Sequence, residues 1–191
     1  RVVTAVGMQF SSLYKGETIE DTMMMAGQYA DIIAMRHPDA GTADQAAAVS
    51  IVPFINGGDG PNQHPTQGLL DLYTVHKERG QLNNLHITMV GDLKYGRTVH
   101  SLAMLMSLYD DIQFTFVAPD ALQMPEKVTK LLDEKNITYH TTEDIHDGLD
   151  TDVVYMTRIQ QERFETEAEY EKYKGVYVLT ADMLTGKDCT V

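Results

Sequence analysis

Arg36, His64, Arg97 and Arg158 are the side chains whose type and position could hold small anions. Arg36 directly follows an apolar run, Ile32 to Met35. Arg97 follows Ile87 to Val90 across the short loop Gly91-Asp92-Leu93-Lys94-Tyr95-Gly96, and Arg158 follows Val153 to Met156 after a single threonine. His64 and Gln67 take the equivalent place after Val52 to Ile55, at the start of a predicted helix whose unpaired N–H groups attract anions. In open parallel sheets, ligands bind in the crevice beyond the carboxyl ends of the strands. A guanidinium there can grip a phosphate or carboxylate through two parallel N–H donors. Taken singly, a surface arginine is more often a solvated charge, and a histidine before proline more often a cap. Four such residues at matching strand ends favour a small-anion site.

Other groups carry less. The segment Gly91 to Thr98 follows a strand and opens a helix, but its glycine spacing fits neither the dinucleotide nor the phosphate-loop pattern. The seven histidines are scattered without ligand spacing, so no metal is expected. Cys189, the sole cysteine, excludes an internal disulfide and is a poor nucleophile beside the end of the chain. The run Met23-Met24-Met25 reads as core packing, and the acidic stretch from Glu162 to Glu171 as a solvated face.

The elements that must position these residues alternate between helix and strand. Helix is expected over 17–30, strand over 31–35, and a short helix opened by Thr42 with Gln45 as a capping box. A second strand is expected over 51–55, then a loop over 56–61, then a helix from Pro65 to Arg79. Residues 80–84 form the expected boundary. Beyond it come a strand over 86–90, a helix over 96–108, a strand over 113–117 and a helix from about Pro125. Further strands are expected over 137–139, 152–156 and 176–179. The fold class is therefore α/β: two consecutive small domains, 1–80 and 81–191, each with a parallel sheet flanked by helices.

Composition limits the partners. The net charge of −13 opposes binding to nucleic acid or to an anionic membrane surface. No apolar run approaches the roughly 18–20 residues needed to span a bilayer. With one cysteine and no signal-peptide core at Arg1 to Val6, a cytoplasmic location is expected. Without an initiator methionine, the chain is expected to begin within a longer protein.

At these same residues the chain resembles aspartate carbamoyltransferases. The resemblance runs through Lys15-Gly16-Glu17-Thr18, Met35-Arg36-His37-Pro38, the segment 58–67 with its Gln63-His64-Pro65-Thr66-Gln67, the segment 90–101 with its Lys94-Tyr95-Gly96-Arg97-Thr98, and Thr157-Arg158-Ile159-Gln160. These segments keep the family's order and cover nearly the whole chain. The resemblance implies a carbamoyltransferase fold and transfer of a carbamoyl group from carbamoyl phosphate to L-aspartate in pyrimidine synthesis, with neither metal nor organic cofactor. It implies that Arg36, His64 and Gln67 contact carbamoyl phosphate and that Arg97, Arg158 and Gln160 hold the aspartate carboxylates. Lys15 and either Ser11 or Ser12 would lie on a loop entering the active site of the adjacent subunit of a homotrimer, to which regulatory chains could bind. The family's Ser-Thr-Arg-Thr-Arg phosphate loop and its His-Pro-Leu-Pro-Arg loop do not occur in these residues. Two alternatives stay open: a related carbamoyltransferase with another amino acid acceptor, and an inactive fragment that acts only as a binding domain.

Overall fold

The computed structural model describes residues 15–159, 164 and 166–191. The chain divides into two compact units, with the boundary between Thr66 and Gln67.

In the first unit, helix α1 (Ile19–Gly27) starts where the Thr18 hydroxyl accepts the Asp21 N–H at 3.1 Å. Glu20 and Asp21 in its first turn suit the positive end of the helix dipole. Strands β1 (Ile33–His37) and β2 (Phe54–Asp59) form a two-stranded parallel sheet, bridged by helix α2 (Thr42–Val49). Several expectations are corrected here. β1 continues through His37, so Arg36 lies inside the strand, exposed, rather than after it. The pairing slips between Met35 and His37, and His37 sits opposite Asp59. β2 begins only after Pro53, which has no N–H to give the ladder, and runs through the glycines expected to form a loop. The capping box does not form, because Gly41, left-handed at φ 83°, takes the cap position and Thr42 falls inside the helix. The Thr42 hydroxyl instead donates to the Asp39 carbonyl at 2.8 Å. Of the three methionines, Met23 is buried while Met24 and Met25 are exposed.

The second unit takes most of helix α3 (Pro65–Arg79), whose Val75 joins the main core. Strands β3 (His86–Val90), β4 (Gln113–Val117), β5 (Thr138–Thr142) and β6 (Val153–Met156) form one sheet in the order β5-β4-β3-β6, with all three pairings parallel. β3 and β4 bury four of their five residues each, as expected of strands covered on both faces. Helix α4 (Arg97–Met106) packs Val99, Leu102, Ala103 and Met106 against the sheet at helical spacing, and helix α5 (Glu126–Glu134) adds Val128 and Leu132. A short helix α6 (Glu167–Glu171) follows within the acidic stretch.

Residues 176–179 are not a strand. The outer edge of β6 that such a strand would need is taken by Thr190, whose carbonyl accepts the Val154 N–H at 2.8 Å. Tyr177 and Leu179 pack instead on Val90, Val117 and Val154. Among the described residues, no helix is long and apolar enough to cross a membrane.

Candidate active site

In the first unit, Asp59 organises the segment that delivers His64. It is only 1% exposed, and its carboxylate accepts four hydrogen bonds: from the Gly41 and Gln63 backbone N–H groups at 3.0 and 3.2 Å, and from the Asn56 and Asn62 amides at 3.1 and 2.8 Å. Burial alone would raise its pKa, but the four donors outweigh burial and hold it below the ordinary carboxylate value. Gly60 passes so close to the Pro38 carbonyl and Ala40 N–H that a Cβ would collide with both, and its own N–H donates to the His37 carbonyl at 2.8 Å. Residues 59–63 are thereby tied to the end of β1, and His64 follows at the foot of α3. Its Nδ1 lies 3.3 Å from the Thr66 hydroxyl. When Thr66 donates to Nδ1, the proton resides on Nε2, which can then donate to a ligand oxygen.

In the second unit, the carboxyl ends of β3 and β6 carry the site. Gly91 leaves β3 at φ 120°, and a side chain there would run into the Thr157 carbonyl. Only glycine fits both conditions. Asp92, fully buried, accepts the Tyr95 N–H at 2.9 Å and folds the loop so that Arg97 becomes the first residue of α4. His100, one turn on, places its Nε2 2.7 Å from the Leu93 carbonyl and pins the helix to that loop. Thr157 donates its N–H to the Val90 carbonyl at 2.8 Å, which fixes the chain leading to Arg158.

Because β3 and β6 are neighbours, Arg97 and Arg158 emerge from adjacent strand ends at one edge of the sheet. Arg158 is exposed and lines a cavity of about 250 Å3 with Gly91, Thr157, Ile159, Tyr170 and Lys174. Lys174, which the sequence reading did not single out, adds a second cation to this lining and pairs with Glu171 at 2.8 Å. Gln67, half-buried on α3, donates its Nε2 to Asp71 at 2.9 Å. Asp71 and its other partner, Tyr155, were also missed, since neither stands out in the sequence.

Of the remaining expected site residues, Lys15 is exposed ahead of α1, and Ser11, Ser12 and Gln160 lie outside the described residues. No group of three metal-ligating side chains occurs among the described residues. Arg36 and His64 are in the first unit, while Gln67, Arg97 and Arg158 are in the second.

The family described as aspartate/ornithine carbamoyltransferase, carbamoyl-P binding domain, matches residues 2–77, and its companion, the Asp/Orn binding domain, matches residues 83–191. The chain belongs to the aspartate/ornithine carbamoyltransferase family. Relatives in this family include the aspartate carbamoyltransferase catalytic subunit of Methanocaldococcus jannaschii, 48% identical over 97% of this chain and 61% of the relative. That of Methanobrevibacter smithii is 50% identical over 94% of this chain and 57% of the relative. Among solved structures, the M. jannaschii catalytic subunit aligns with a TM-score of 0.81 at 48% identity, covering 95% of this chain and 60% of that one. Aspartate transcarbamoylase from Trypanosoma cruzi in complex with N-(phosphonacetyl)-L-aspartic acid aligns at 0.86 and 36% identity, covering 98% and 61%. The chain thus spans about three fifths of the length of the family members it matches.

Proposed function

We propose that this aspartate/ornithine carbamoyltransferase chain forms part of an enzyme that moves a carbamoyl group from carbamoyl phosphate to L-aspartate. The products are N-carbamoyl-L-aspartate and phosphate, a step of de novo pyrimidine biosynthesis. The observation that carries this choice is Arg97 and Arg158 at neighbouring strand ends of a strongly acidic chain. Two guanidiniums suit a dicarboxylate, whereas a cationic acceptor such as ornithine calls for acidic groups in their place. The names of the relatives point the same way: each of those above is an aspartate carbamoyltransferase, and T. cruzi structures carry carbamoyl phosphate or N-(phosphonacetyl)-L-aspartic acid.

In this assignment residues 1–80 serve carbamoyl phosphate and residues 81–191 serve aspartate. The neutral amine of aspartate attacks the carbamoyl carbon, negative charge develops on the carbonyl oxygen, and the bond to the phosphate oxygen breaks. The amine proton leaves with the phosphate or to solvent. His64 and Arg36 donate to the carbonyl oxygen, and Gln67 contacts the carbamoyl group. Arg97, Arg158 and Gln160 orient the nucleophile by its carboxylates. Lys15 with Ser11 or Ser12 reaches the active site of a neighbouring subunit in a homotrimer to which regulatory chains could bind, and the protein works in the cytoplasm. These steps call on no metal or cofactor.

Steady-state kinetics of the full-length protein with either acceptor tests the choice. Turnover with aspartate is expected, and turnover with ornithine alone overturns it. His64→Ala is expected to lower kcat about 100- to 1000-fold, the usual loss for one donor to a developing oxyanion. Arg158→Ala should raise KM for aspartate far more than KM for carbamoyl phosphate, and the reverse pattern would remove Arg158 from the acceptor site.

A further inference from the structure

Asp71 stands one helical turn after Gln67 on α3, and its two oxygens have different partners. Oδ1 accepts from Gln67 Nε2 at 2.9 Å, and Oδ2 accepts from the Tyr155 hydroxyl at 3.0 Å. Tyr155 is half-buried on β6, three residues before Arg158, and the Thr98 hydroxyl next to Arg97 also bonds to its phenol. Four side chains from α3, α4 and β6 therefore share one hydrogen-bonded line.

The polarity of that line has a chemical consequence. An ionised carboxylate can only accept. A primary amide has a donor end and an acceptor end, and the partner of one end decides which end faces the other way. With Asp71 demanding a donor, the Gln67 amide turns its NH2 toward Asp71 and its oxygen away from it. Tyr155 keeps Asp71 in this role as long as the phenol retains its proton. Burial, opposed by Thr98 and reinforced by the Asp71 charge, pushes the phenol up to about 12, so it stays a donor throughout the physiological range.

We propose that Asp71, braced by Tyr155, is a positioning residue that locks the Gln67 amide with its oxygen toward the ligand, so that the site selects an acyl phosphate carrying NH2 over one carrying methyl. The proposal rests on Gln67 being a carbamoyl phosphate contact. An amide oxygen aimed at an NH2 group gains a hydrogen bond, while the same oxygen aimed at a methyl is left unsatisfied.

The test measures binding of carbamoyl phosphate, acetyl phosphate and inorganic phosphate to the full-length protein. Acetyl phosphate has nearly the same size and charge as carbamoyl phosphate but offers no N–H. The unsubstituted protein is expected to prefer carbamoyl over acetyl phosphate by about 10- to 100-fold. Asp71→Asn can donate as well as accept, so the Gln67 amide can turn over, and the preference should fall about tenfold while phosphate affinity stays within about twofold. Tyr155→Phe keeps the ring and loses the brace, with a fall of about two- to fivefold. It remains informative if Asp71→Asn fails to fold. An unsubstituted protein that does not discriminate overturns the role of Gln67 itself. Discrimination that survives both substitutions overturns only the role of Asp71. Equal weakening of all three ligands in either variant marks a merely structural residue and also overturns it.

Discussion

Around β1 and β2, the only buried apolar side chains among the described residues are Met23, Ala43 and Ala46, and of these Ala46 alone is fully buried. The four-stranded sheet of the second unit instead buries Ile87, Met89, Phe114, Phe116, Leu102, Met106 and Leu132 almost completely. What orders the first unit is polar: Asp59 draws together Gly41, Asn56, Asn62 and Gln63 in one network. The two regions show two ways of holding a functional side chain. A large apolar core gives loop 91–96 a rigid sheet to stand on, to which the hydrogen bonds of Asp92 and His100 add. A small unit must fix its loop by hydrogen bonds within the loop itself, and it is correspondingly sensitive to the loss of one acceptor.

The largest effect is expected in the apolar core of the second unit. Phe116 is fully buried in β4 between Phe114 and Tyr139, with ring centroids 5.6 and 5.8 Å away. Phe116→Ala is expected to cost the second unit about 3–5 kcal/mol, read from urea denaturation. A loss below about 1 kcal/mol would mean that the sheet does not depend on this core.

Next comes Asp59. Asp59→Ala leaves four donors without their acceptor, and a loss of about 2–3 kcal/mol is expected in the first unit alone. Hydrogen exchange reads this locally. Amides of Gly41 and Gln63 should lose protection while those of β3 and β4 keep theirs, and uniform loss across both units would refute the contrast. Acid should act in the same direction. The folded pKa of Asp59 is depressed, so its contribution is present above the unfolded value of about 3.9 and disappears as pH falls through the lower folded value. Below about pH 4 the first unit should therefore open before the second, a threshold set by the ordinary carboxylate pKa.

The smallest effect concerns a charged clasp at the end of α3 in the second unit. Arg79, at the end of α3, pairs with Asp152 at 3.1 Å and with the exposed Asp188 at 3.3 Å, beside the segment that carries Thr190. Arg79→Met is expected to cost only about 0.5–1 kcal/mol. Its mark should be faster exchange of the Val154 amide, which donates to Thr190. A larger global loss would place more of the second unit's stability in charge pairs than its core suggests.

Much of this architecture could be read from residue order. β3 and β4 lie at the residues expected from sequence, because strands covered on both faces appear as unbroken apolar runs. Arg97 and Arg158 follow their strands as expected for the same reason. The first unit was harder to read, since β2 runs through Asn56-Gly57-Gly58-Asp59, a composition that locally favours a turn. The extension of β1 past Arg36 likewise depends on its pairing with that strand. Residues 176–179 form a short apolar run of the kind strands favour, yet the edge they would occupy belongs to Thr190. The sequence alone therefore determined the alternation of helices and strands, the family resemblance and the cationic residues. Tertiary structure decided which edges are taken, that Asp59 gathers four donors, and that Asp71 meets Tyr155 84 residues away. Local propensity and apolar periodicity act over a few residues, whereas the partner of a buried carboxylate depends on which distant strand is packed beside it.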